Sequence, residues 1–319
     1  RGDGHRMANI HTLDSIRGRD ERTPYQYAES YQQPHHGGAG GAYEYSTIHG
    51  PDYAASGEQD FLIDVGDDQP IPMSTLKPWQ IPFAFCCPCC FGNPARFLRA
   101  FLGVMCLIQI IMFVVEIARS HGSVLQIPVP VLTELGAKDA QLIKEGQIWR
   151  LVTPVLLHGG IIHIAVNVFA QLTFGLQLER KWGIPFTATV FFVAALSGNL
   201  MSVLVAPGSI SVGSSSAIFG LLGAEVAFVT ATWSQMTQAM KTATMISYGL
   251  FLMLMVMFAV SANVDMWAHL GGFIAGAFLG FAYFAANFDS EQVRRILPSA
   301  CVFTLAMSIV LGIVAVYML

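Results

Sequence analysis

Polar and apolar residues divide the chain into two regimes. From Arg1 to about residue 95 polar residues are dense and aperiodic, and from about Phe97 apolar runs alternate with short polar breaks. A membrane helix needs ~20 mostly apolar residues. Runs of that kind fall at 98–118, 160–179, 185–206, 214–233, 241–261, 266–287 and 298–318, which predicts seven spans. A long break separates the first two. It contains "ELGAKDAQLIKEGQIWR", too polar to span and amphipathic enough to lie along the interface. The opening segment, rich in Gly, Pro, Tyr, Gln and His, cannot bury enough apolar surface to offset its ordering entropy. The expected fold class is an all-α polytopic membrane protein, with a disordered tail over 1–95 and a transmembrane domain over 96–319.

Composition supports that division. The chain is 54% hydrophobic and 12% charged, against about 25% charged for a soluble domain. Mean hydropathy is +0.53. A net charge of -4 without a basic patch argues against a nucleic-acid partner and leaves the lipid bilayer as the expected environment. The N-terminal stretch has no apolar signal-peptide core, so the first span is expected to act as its own signal anchor. With the tail cytosolic, the cytosolic flanks hold Arg96, Arg99, Arg180, Lys181, Lys241, Arg294 and Arg295. The other side holds Arg119, Lys138, Lys144 and Arg150, all in the first loop. This bias favours a cytosolic N-terminus and a non-cytosolic C-terminus.

Polar residues at membrane depth are functional candidates by default. His163 and Asn167 lie four apart on one face of the second span, with His158 just upstream. Ser214, Ser215 and Ser216 open the fourth span, and His269 lies one turn into the sixth. These three spans run in the same direction, so their polar residues share one depth. Ala268, Gly272, Gly276 and Gly280 repeat every four residues, as do Ser216, Gly220 and Ala224, which predicts close contact between the sixth and fourth helices. A Ser and a His within hydrogen-bond reach are the minimum for nucleophilic acyl transfer. Unpaired N–H groups at a helix start, with Asn167 and His163, offer donors for an oxyanion. No Asp or Glu is placed within the spans to orient His269, and Asp265 lies one turn earlier, so a dyad is expected. Two other readings stand beside this one. Serine runs in membrane helices commonly bond back to the preceding turn, and an intramembrane His also serves in transporters and channels or as a metal or haem ligand.

The motifs together resemble the rhomboid intramembrane serine proteases over residues 97 to 319. "IWR" at Ile148–Arg150 resembles the Trp-Arg motif of that family's first loop, placing Trp149 and Arg150. "HGGIIHIAVN" resembles its His-x4-His-x3-Asn segment, and "GSSSAIFG" its Gly-x-Ser-x motif. "AHLGGFIAG" resembles its Ala-His-x2-Gly-x3-Gly motif. The resemblance implies a nucleophile at Ser215, a general base at His269, an oxyanion site from His163, Asn167 and the Ser215 N–H, and Phe219 packed on His269. Gly213, His158, Gly272 and Gly276 would support them. Ser216 stands where the family usually has Gly, and the spacing from Gly213 and Phe219 selects Ser215 among the three hydroxyls. The resemblance implies a six-helix bundle plus one C-terminal transmembrane helix, in the six-plus-one layout of eukaryotic members of the secretory pathway or plasma membrane. It further implies single-pass transmembrane substrates cut near the non-cytosolic face, and no cofactor or metal. The loops and polar tail look like those of apicomplexan members, which cleave surface adhesins. Inactive relatives typically lack the Ser or the His, and both are present here.

Four of the six cysteines, Cys86, Cys87, Cys89 and Cys90, form "CCPCC" before the first span. On the cytosolic side a disulfide reading fails, four thiols around one Pro make a poor tetrahedral site, and S-palmitoylation is the expected chemistry. "YSTI" at Tyr45–Ile48 fits a tyrosine-based sorting pattern.

Overall fold

The computed structural model describes residues 62–63, 71–72, 98–238 and 265–318, with scattered positions between 241 and 253. All of them lie in the unit Gly41–Leu319. Most of the expected tail, its sorting pattern, the CCPCC cluster and most of the expected 241–261 span lie outside the described residues. Two-residue strands β1 (Leu62–Ile63) and β2 (Ile71–Pro72) pair antiparallel. The remaining described elements are helical.

Helix α1 (Phe101–Arg119) has no side-chain cap of its own. Glu179 supplies one from elsewhere in the chain, its carboxylate accepting from the N–H groups of Phe101 and Leu102 at 2.7 and 2.8 Å. An anion at the positive end of a helix is favourable there, and two orphan donors are satisfied at once. The first loop folds into α2 (Val129–Leu135), α3 (Ala140–Lys144) and two 3-10 turns, Ile148–Leu151 and Thr153–Leu156. Gly136 ends α2 at φ +117°, where a side chain would be strained. Asp139 caps α3 by accepting from Gln141 and Leu142 N–H.

The second span runs as α4 (Ile161–Ala170), a π-helical turn (Gln171–Gly175) and α5 (Leu176–Trp182). Helix α6 (Ile184–Val205) follows after Gly183, then α7 (Ser215–Thr232), α8 (Met266–Tyr283) and α9 (Glu291–Met318). Six helices among the described residues are long and apolar enough to cross a membrane. They coincide with six of the seven expected runs. The last helix begins seven residues before the apolar run at Pro298, because its polar first turns are helical too.

Helices α7 and α8 run parallel with their small faces in register. A Cβ at Gly272 would strike the Ser216 carbonyl oxygen, one at Gly276 the Gly220 carbonyl, and one at Gly280 the Ala224 backbone. The two repeats read in the sequence therefore meet residue for residue, and the backbones approach as closely as absent side chains permit. Leu102, Phe191 and Leu221 are buried in the apolar core that packs around α7.

Candidate active site

Three helix starts converge at one end of the bundle. Ser214 precedes α7 and Ser215 opens it. Asp265 caps α8 through its side chain, which accepts from Ala268 N–H, and places His269 one turn in. Gly160 precedes α4, which carries His163 and Asn167. Ser215 and His269 meet there, and Gly213 lies against His163.

Ser215 Oγ lies 2.6 Å from His269 Nε2. The His269 ring stacks on Phe219, with centroids 4.5 Å apart and planes at 17°. This fixes the imidazole plane and leaves its rotation little freedom. His269 is buried, and among the described residues its Nδ1 meets no hydrogen-bond partner and no carboxylate orients it. Asp265 is turned instead toward Lys138 and the α8 cap.

The neighbouring serines are placed differently. Ser214 is fully buried, donates to Asn167 Oδ1 at 3.2 Å and accepts from Gln171 Nε2 at 3.2 Å. Ser216 is buried at the Gly272 contact. Asn167 also donates from Nδ2 to the His163 carbonyl at 2.9 Å, so its amide is held from both ends. Gln171 bonds to Gln109, which donates in turn to the Val155 carbonyl, so the polar chain reaches α1.

Gly213 has φ +114°, and a Cβ there would lie 2.7 Å from His163 Nε2. Both the backbone conformation and the space require glycine. Its N–H donates to the Pro154 carbonyl at 2.8 Å, tying the serine segment to the first loop. His163 Nδ1 accepts from Gly159 N–H at 3.3 Å, which leaves Nε2 to face Gly213. His158 is fully buried, edge-on to His163 at 5.3 Å. Burial, then the neighbouring His163, pushes the His158 imidazole well below its ordinary value.

Trp149 and Arg150 belong to the loop structure. Trp149 is exposed. Arg150 is buried and donates to the Thr133 and Ala137 carbonyls at 2.7 and 2.9 Å.

The sequence reading missed several polar groups. Glutamates do occur in the spans, and each is partnered away from His269. Glu116 accepts from His158 N–H, Glu179 caps α1, and Glu225 is paired with Lys181 at 2.8 Å. A single carboxylate in an apolar run was the available signal. Gln109, Gln171 and Lys138 gave a weaker one.

This arrangement has relatives. Residues 145–286 match the family model described as Rhomboid domain. Rhomboid-like protease 3 of Toxoplasma gondii is 32% identical over 193 residues, covering 60% of this chain and 73% of that protein. The chain belongs to the rhomboid family. Rhomboid-like protease 1 of Toxoplasma gondii and RHOMBOID-like protein 5 of Arabidopsis thaliana are each 36% identical over 155 residues, 48% of this chain. The chain spans about half the length of those two, 53% and 50%. Family and helices together make it a multi-pass integral membrane protein with an all-α rhomboid fold.

Proposed function

We propose that this rhomboid is an intramembrane serine endopeptidase working through a Ser215–His269 dyad. The observation that carries the reading is the 2.6 Å contact between Ser215 Oγ and His269 Nε2, with the imidazole held on Phe219. His269 Nε2 takes the hydroxyl proton as Oγ bonds to the scissile carbonyl carbon. The proton passes to the leaving amide nitrogen, the C–N bond breaks, and an acyl-enzyme remains. Water then repeats the sequence and releases the acid, returning the proton to Ser215.

The oxyanion of each tetrahedral intermediate is offered the Ser215 N–H at the first turn of α7, where backbone donors have no intrahelical acceptor, together with Asn167 and His163. Asn167 is already oriented by Ser214 and by the His163 carbonyl, so little reorganisation accompanies charge development. Substrates are single-pass transmembrane proteins cut near the non-cytosolic face. The Lys/Arg bias supports a cytosolic N-terminus, with the convergent helix starts opening to the opposite side. Names of the Toxoplasma relatives carry the word protease, which supports the same class.

The test is cleavage of a single-pass reporter in liposomes containing the full chain. Two defined fragments from wild type, and an intact reporter with Ser215→Ala or His269→Ala, are expected. An intact reporter with wild type leaves a transporter or a binding protein, and cleavage undiminished in either variant overturns the dyad.

A further inference from the structure

Lys138 lies in the loop between α2 and α3, yet it is fully buried. Its ammonium donates to Ser209 Oγ at 2.7 Å and Ser202 Oγ at 2.8 Å, and lies 3.5 Å from Asp265 Oδ2. Asp265 accepts from Ala268 N–H through Oδ1 at 3.1 Å. Through Oδ2 it accepts from Ser202 Oγ, and from Ser209 Oγ at 3.4 Å. The Lys138 backbone pairs with Ser211, its N–H donating at 2.9 Å and its carbonyl accepting at 3.3 Å. Ser211 is two residues before Gly213. One residue thus touches both the segment that leads into Ser215 and the cap of the helix that carries His269.

A buried ammonium is costly, and an apolar side chain of similar volume would fill the space with less desolvation. What the apolar chain would not do is answer the Asp265 carboxylate. We propose that Lys138 is a positioning residue for His269: it holds Asp265 in its capping geometry and cancels the field that carboxylate would exert one turn away. The proposal rests on the reading of His269 as general base.

Among the described residues, the surroundings of His269 leave few other charges to do this. From its own helix comes Asp265, and from α4 comes His163. Helix α6 contributes no ionisable side chain. On α7 the ionisable group is Glu225, ten residues beyond Ser215 and about 15 Å along the axis. On α9, Glu291, Arg294 and Arg295 lie in the first turns, shortly after α8 has ended at the far side. Burial draws the Lys138 ammonium below its ordinary value, against the pull of Asp265. Burial raises the Asp265 carboxyl, but Ser202, the Lys138 charge and the Ala268 N–H outweigh it and hold the group below the usual range.

The measurement is kcat/KM against pH for reporter cleavage by the full chain in liposomes, in wild type, Lys138→Met, Asp265→Asn and the double variant. In Lys138→Met the bare carboxylate retains the proton on His269, and the acid limb moves up by about one pH unit. In Asp265→Asn the uncompensated ammonium moves the limb down. The double variant returns it toward wild type. A packing role would lower the plateau and leave every limb in place, and coincident limbs overturn the proposal. If Lys138→Met does not fold, the limb of Asp265→Asn decides. Labelling of Ser215 by a fluorophosphonate at plateau pH keeps the two claims apart. Labelled protein with unmoved limbs removes the role of Lys138 alone, whereas wild type that resists labelling removes the dyad beneath it.

Discussion

Ser215 Oγ and His269 Nε2 meet at 2.6 Å across the α7–α8 contact, and among the described residues no carboxylate completes them into a triad. The small-residue register of two parallel helices sets that distance, because Gly272 and Gly276 let α8 rest on the carbonyls of Ser216 and Gly220.

The three neighbouring serines are expected to separate on substitution. Ser215→Ala loses cleavage of a single-pass reporter. Ser216→Ala stays near wild type, since Ser216 meets Gly272 through its backbone and the substitution leaves that contact in place. Ser214→Ala retains measurable but lower activity, because it removes a hydrogen bond worth ~0.5–1.5 kcal/mol that holds Asn167. Full activity in Ser215→Ala contradicts the assignment.

Asn167→Ala removes one oxyanion donor and should cost about 10²–10³ in kcat, with KM little changed. Asn167→Asp keeps the shape and the acceptor for Ser214 and loses the donor, so it should fall as far. A drop in melting temperature at unaltered kcat would instead mark the amide as a structural contact.

Gly272→Ala tests the register. Even one methyl meets the Ser216 carbonyl, so α8 must shift away from α7. A misplacement of ~1 Å can cost about 10²-fold in rate. Reporter cleavage equal to wild type would mean that the helices tolerate separation at this level.

His158 predicts an acid-sensitive stability. An unfolded histidine titrates near pH 6.5, roughly the ordinary value, and His158 is held well below its own by burial and by His163. Between the two values the unfolded chain binds a proton that the folded chain does not. The stabilisation is therefore complete above about pH 6.5 and is lost as pH falls toward the folded value, by up to ~1.4 kcal/mol per unit. The melting temperature in detergent should decline from pH 7.5 to 5 more steeply in wild type than in His158→Gln, and equal slopes would contradict it.

The parts of this site legible in the sequence were those with local periodicity. His163 and Asn167 share a helical face by spacing alone, and the glycine repeat of α8 announces a close contact. The direction of each span then brings distant motifs to one depth. What stayed hidden depends on pairings that leave no period. Lys138 sits in a polar loop and looks like a solvated surface charge, yet it reaches Asp265 across 127 residues. Asp265 was the expected partner for His269 if there were one, and Lys138 takes it. The π-helical turn at Gln171–Gly175 comes in an apolar run that reads as ordinary helix, although it lies where Gln171 joins Gln109 and Ser214.

A fluorophosphonate probe followed by peptide mapping tests the dyad most directly, because it requires a serine made nucleophilic by its neighbours and no knowledge of the substrate. The label should appear on Ser215, and His269→Ala should abolish it while Ser214→Ala and Ser216→Ala retain it. A label on another residue, or none on folded wild-type protein, would contradict the Ser215–His269 assignment.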